Sequence, residues 1–189
     1  MYRPGIPSPA TRELPMPNIS TITSLNQAHA TLLHCWNQLA RFVRECVAGP
    51  LPPPAVTALE ERRQHFSAWL NQWENAFKQF LCITRASMDS EQLTLSRVLK
   101  ANHLCCYIMT SIAGRPPTVA DTFEAEFRAI VDLCGAVFYA RSLSPRPPPA
   151  VEPIAAGLDV QSPLHVVAAQ CRNTDISNRA REMILHQCR

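Results

Sequence analysis

Apolar residues recur every three or four positions along most of this chain, and the runs break wherever prolines gather. Leu25, Ala28, Leu32, Trp36, Leu39, Val43 and Val47 form one stripe, predicting a helix over about 24–46 that Gly49-Pro50 stops. A second helix is expected from Thr57, with Thr57 and Glu60 at capping-box spacing. Its broad apolar face carries Leu59, Phe66, Trp69, Leu70, Trp73, Phe77, Phe80 and Leu81. A third spans about 89–112, with Leu95, Leu99, Cys106 and Met109 on one side, and ends at Gly114 and Pro116-Pro117. The fourth opens at Asp121, with Glu124 three residues on, and presents Phe123, Phe127, Ile130, Val131, Cys134 and Phe138.

Two shorter helices complete the pattern. Ser162-Pro163 reads as an N-cap followed by proline at the first helical position, and Leu164, Val167, Ala168 and Cys171 line up behind it. Thr174 caps the last helix, with Ile176, Ala180, Met183 and Ile184 facing inward. No alternating segment and no Asn-Gly or Asp-Gly pair argues for a strand or hairpin. The expected fold is therefore all-α, an antiparallel layer of about six helices with proline-rich joints.

Expected boundaries follow the prolines: a disordered proline-rich tail over 1–21, a main helical domain over 22–144, a proline-rich linker over 145–161, and a C-terminal helix pair over 162–189 packing on the main domain. The last helix runs to Arg189 without a breaker, so truncation of that pair is expected.

Composition narrows the class. At 189 residues the chain suits one domain with tails, long enough to bury a sizeable core. It has no apolar run long enough to span a membrane, and the proline-dotted first 20 residues resemble no secretory signal. A net charge of +3 is too small and dispersed to mark a nucleic-acid-binding face, and the dominance of arginine over lysine names no partner. The eight cysteines include no CxxC pair, and without a signal peptide they read as small buried hydrophobes in a reducing compartment.

Candidate chemistry is thin. His103 and Cys106 lie three apart on a helix beside Cys105, but only two ligands are local where a structural zinc site needs four, and His186-x-Cys188 offers no more. No GxSxG, HExxH, P-loop or GxGxxG string occurs, and five glycines leave little from which to build a phosphate cradle. Glu60-Glu61-Arg62-Arg63 reads as a solvated face near a helix start, and the aromatic stripe from Phe66 to Phe80 as core before ligand pocket. No catalytic, cofactor-binding or metal-ligating residue is assigned, no cofactor is expected, and the chain is not expected to be an enzyme.

Four strings in order carry a resemblance. They are Ser24-Leu25-Asn26-Gln27-Ala28 continuing through Leu32, Leu33 and Trp36 to Arg41-Phe42; Trp69 to Phe77; Asp121-Thr122-Phe123 leading to Phe127 through Leu133; and Ser162-Pro163-Leu164-His165 followed by Ala168 to Arg172, Arg179-Ala180 and Ile184-Leu185. Together, from about Ile22 onward, they resemble the helical regulatory region of fungal zinc-cluster (six-cysteine) transcription factors, common in secondary-metabolite gene clusters. The six-cysteine DNA-binding module of that family has no counterpart here, so zinc ligands and DNA-contacting residues transfer to no position. The segment that usually follows the last helix pair is also missing, and the chain reads as a middle-to-C-terminal piece of such a regulator.

The resemblance implies a nuclear transcription-regulator-like domain, with the cytoplasm as the alternative location. It would act through a protein partner, a full-length relative or itself, without direct sequence-specific DNA contact and without a membrane. A small-molecule effector is a further partner to consider. The alternative is a small-molecule-binding or accessory helical protein of a metabolite cluster, motivated by the aromatic second helix.

Overall fold

The computed structural model describes residues 15–49, 52–143 and 157–187. Among them are six α-helices and no strand, so the fold is all-α. Helix α1 (Leu25–Val47) begins at the expected place, where the Ser24 side chain accepts from the Gln27 backbone N–H at 3.1 Å.

Helix α2 starts earlier than its capping-box spacing suggests. It runs Pro53–Thr84, because prolines at its first positions lack the N–H that a helix start would leave unpaired anyway. Thr57 is thus an interior residue whose hydroxyl donates to the Pro53 carbonyl at 3.3 Å.

Helix α3 (Ser90–Ile112) opens on a complete capping box between Asp89 and Gln92. It closes at Gly114, whose φ of +67° a side chain would strain; a Cβ there would lie 2.9 Å from the Cys46 carbonyl oxygen. A 3-10 helix over Pro117–Phe123 intervenes before α4 (Glu124–Ser142), so Asp121 does not cap α4 as its spacing with Glu124 suggested. Proline at the first position of that 3-10 helix has its φ already set for a helical turn, and the tighter turn uses it first.

Helix α5 (Gln161–Gln170) has Val160, not Ser162, at its N-cap, and the carboxylate of the preceding Asp159 accepts from the N–H groups of Gln161 and Ser162, both at 3.1 Å. Helix α6 spans Thr174–Gln187, and the Asn173 side chain accepts from Asp175 N–H at 3.1 Å, one residue before the expected cap.

The first three helices run antiparallel in succession. Phe42 meets Phe66 and Thr31 meets Trp73 across α1 and α2, while Leu70 meets His103 and Glu74 meets Lys100 across α2 and α3. This places α1 and α3 side by side and parallel, with Cys46 against Gly114. On the far side of α3 lie α4, α5 and α6.

The interior therefore divides in two around α3. Leu32, Phe42, Trp73, Phe77, Leu99 and Cys106 belong to one apolar cluster, and Cys105, Ile108, Phe127, Ile130, Val137 and Leu164 to the other. One apolar side was expected of α3; it buries two. Neighbouring residues Cys105 and Cys106 point into different clusters, so a helix apolar nearly all round is what this position demands.

Segments expected to be tail and linker contribute to this packing. Residues 1–14 and 144–156 lie outside the described residues, but Ile19 is a core residue, and Trp69 Nε1 donates to the Pro17 carbonyl at 2.8 Å. At the other joint Leu158 and Val160 are buried, one in each cluster. There Asn102 Nδ2 donates to the Asp159 carbonyl at 2.7 Å. No helix among the described residues is long and apolar enough to cross a membrane.

Candidate functional site

The main polar cluster inside the fold sits between α2 and α3. Its centre is Glu74, approached by Lys78 Nζ at 3.0 Å, by Lys100 and by His103 Nδ1 at 3.3 Å. His103 is buried, stacks on Trp73 at 5.1 Å between ring centres, and bonds through Nε2 to the Leu70 carbonyl at 3.0 Å. A carbonyl only accepts, so the neutral ring carries its proton on Nε2, and Nδ1 faces Glu74 without a hydrogen bond.

Burial pushes the His103 pKa down to about 4, Lys100 adds to the shift, and Glu74 opposes it. Burial acts to raise the Glu74 carboxyl, but the hydrogen bond from Lys100 and the surrounding positive charges outweigh it and hold the group below its ordinary value. The chemistry of this cluster is that of a partly buried ion network tying two helices together.

The other sequence candidates disperse. His103 faces α2, Cys105 enters the cluster with Cys134, and Cys106 lies against Cys35. Burial drives the Cys105 thiol far above its usual range and that of Cys134 up to about 12. The Cys35 contact and burial raise Cys106 as well. These shifts oppose activation, since the thiolate is the nucleophile and the metal ligand. Among the described residues no group of three or more His, Cys, Asp or Glu is placed to hold a metal ion, and Cys188 lies outside them.

The Glu60–Arg63 run is only partly the solvated face it resembled. Glu60 bonds Arg63 at 3.0 Å and Arg115 at 2.9 Å, and Arg62 pairs with Glu45. Arg63 is buried: it donates to the Thr110 carbonyl and, at 2.7 Å, to the Ala113 carbonyl, and it lies over the Phe42 ring at 5.3 Å. It thereby satisfies carbonyls that the end of α3 would leave open. The signal was present in its phase, since Arg63 falls three and seven residues before the core positions Phe66 and Leu70. The aromatic stripe is core, with Trp73 and Phe77 stacked at 4.6 Å and both fully buried.

An open cleft of about 380 Å³ lies where the 3-10 helix meets the α5–α6 turn. Phe127 forms part of its wall, beside Asp121, Glu124, Cys171 and Arg172. Its charges are already engaged: Arg172 bonds Asp121 at 2.9 Å and Arg128 bonds Glu124 at 2.8 Å. Compared with known proteins, the chain matches no family model, no curated protein and no solved structure.

Proposed function

We propose that this chain is a helical regulatory domain that works by holding protein partners, in the manner of the helical region of the zinc-cluster transcription regulators it resembles. In this reading it acts in the nucleus on a fungal secondary-metabolite gene cluster, is not an enzyme, and leaves sequence-specific DNA contact to another polypeptide. The observation that carries the reading is the use of its chemistry-bearing groups. Glu74, His103, Arg63 and the buried thiols join helix to helix, and what remains for recognition is the outer surface of a packed helical layer.

The test is to tether the chain to an unrelated DNA-binding domain upstream of a reporter in a filamentous fungus. Reporter output should change at least severalfold relative to the tether alone. A folded, nuclear fusion that leaves output unchanged in both directions overturns the proposal. The second reading, a small-molecule-binding protein, rests on the cleft beside Phe127 and Arg172. It calls for a rise in melting temperature with a pathway metabolite, because a ligand specific for the folded form stabilises it.

A further inference from the structure

We infer that the extended segment before α1 is an intramolecular stand-in for a partner, and that the groove it fills on α1 and α2 takes an uncharged, proline-bearing peptide of another protein. The inference rests on the partner-holding reading above and names the partner's chemistry. Residues 15–23 form neither helix nor strand, yet they are fixed to the core. Ile19 and Ile22 are buried and Met16 packs on the same apolar cluster, whereas Asn18, Ser20, Thr21 and Thr23 are exposed. Thr31 beside Trp73 and Phe42 beside Phe66 place the start of α1 near the C-terminal half of α2. This strap therefore runs back along α2 until Pro17 meets Trp69.

Two properties mark a peptide groove. First, the inward anchors Met16, Ile19 and Ile22 are spaced by three. That is the period of a polyproline-type chain, and Pro15 and Pro17 favour such a backbone. Second, the helices bond the strap's main chain. Trp69 Nε1 donates to the Pro17 carbonyl at 2.8 Å, and the Gln27 side chain donates to the Thr21 carbonyl at 3.1 Å while accepting from the Thr23 N–H at 2.8 Å. Main-chain bonds are open to any peptide in the same conformation, and the pockets for its apolar side chains set the sequence. Proline-rich peptides are held in this way, in aromatic-lined grooves that need little ordering of the ligand.

The strap itself specifies the occupant. Residues 15–23 carry no charge and direct their polar side chains outward. The partner segment is accordingly extended and uncharged, apolar at three-residue intervals, with proline after the first anchor. An emptied groove would bring Trp69 to water, so release of the strap and entry of the partner are coupled. Being on the same chain, the strap competes at an effective concentration of about a millimolar. The chain is thus blocked by its own segment until the strap is loosened.

A fluorescein-labelled synthetic peptide with the sequence of residues 15–23, titrated with the full chain, tests this by anisotropy. Its affinity for Ile19→Asp, whose strap has lost its central anchor, should exceed that for the wild-type chain at least tenfold. Ile19→Ala, a milder change, should give a smaller gain and keeps the test decisive if Ile19→Asp misfolds. Adding Trp69→Phe to either variant removes the indole donor but keeps a ring, and should weaken peptide binding severalfold.

In variants of unchanged circular dichroism, peptide binding no tighter than to the wild type overturns the inference. So does binding indifferent to Trp69→Phe. A wild-type dimer at about 100 µM that Ile19→Asp dissolves also overturns it, since the strap of a second copy is then the occupant. None of these results touches the reporter assay. A tethered chain that alters output while the peptide fails here retains the regulatory reading and loses this groove; an inert tethered chain that binds the peptide does the reverse.

Discussion

His103 shows how a single side chain can fit its surroundings in one protonation state only. Its ring is clamped by Trp73 and the Leu70 carbonyl, and burial holds its pKa near 4 against an unfolded value of about 6.5. Between those values the unfolded chain binds the extra proton and the folded chain does not. The stability present above pH 6.5 is therefore lost as pH falls towards 4, by up to about 3 kcal/mol. Glu74, depressed below its ordinary value, continues the loss at lower pH. Urea midpoints measured from pH 7.5 to 4.5 should fall, and His103→Gln should flatten the slope; an equal slope in both proteins contradicts this account. His103 was visible in the sequence as a candidate, but its role was not. A metal ligand and a packed core imidazole look alike until the carbonyl of Leu70 and the ring of Trp73 are in place. Arg63 was the opposite case, hidden inside a charge run although its helical phase pointed at the core.

Along single helices, the apolar period was the reliable guide and local capping patterns were not. The stripes from Leu25 to Val43 and from Phe66 to Phe80 supply most of the core on their side of α3. The first helix began where expected, at Ser24, but the capping residues read at Thr57, Asp121, Ser162 and Thr174 are not the ones the structure uses. In those four cases a proline or an upstream side chain offered the backbone an earlier start. The same physics predicts a measurable role for Asp89, whose carboxylate accepts from Gln92 N–H at 2.8 Å while the Gln92 side chain returns to Asp89 N–H at 3.1 Å. Asp89→Ala should cost about 1 kcal/mol in denaturant unfolding, with little change in denaturant slope. Asp89→Asn, which keeps an acceptor, should recover most of it.

The division of the interior about α3, which organises the entire fold, was beyond the reach of the sequence. A stripe of Leu95, Leu99, Cys106 and Met109 announces one buried side, whereas the burial of Ala101, Asn102, Cys105 and Ile108 depends on α4 and α5 closing over the other. Because α3 completes both clusters, neither can lose it and survive. Trp36 packs against both clusters, so in a Trp36→Phe variant, whose remaining Trp69 and Trp73 lie in one cluster, unfolding followed by tryptophan fluorescence should coincide with unfolding followed by far-ultraviolet circular dichroism. Two separated transitions would show that the halves melt alone. The short return from Gly157 to Val160 makes the same point from the chain's own path. Leu158 is sunk on one side, Val160 on the other, and Asn102 grips the Asp159 backbone between them. Those four residues act as a stitch sewn across the seam, fastening the C-terminal helix pair to both halves of the core at once.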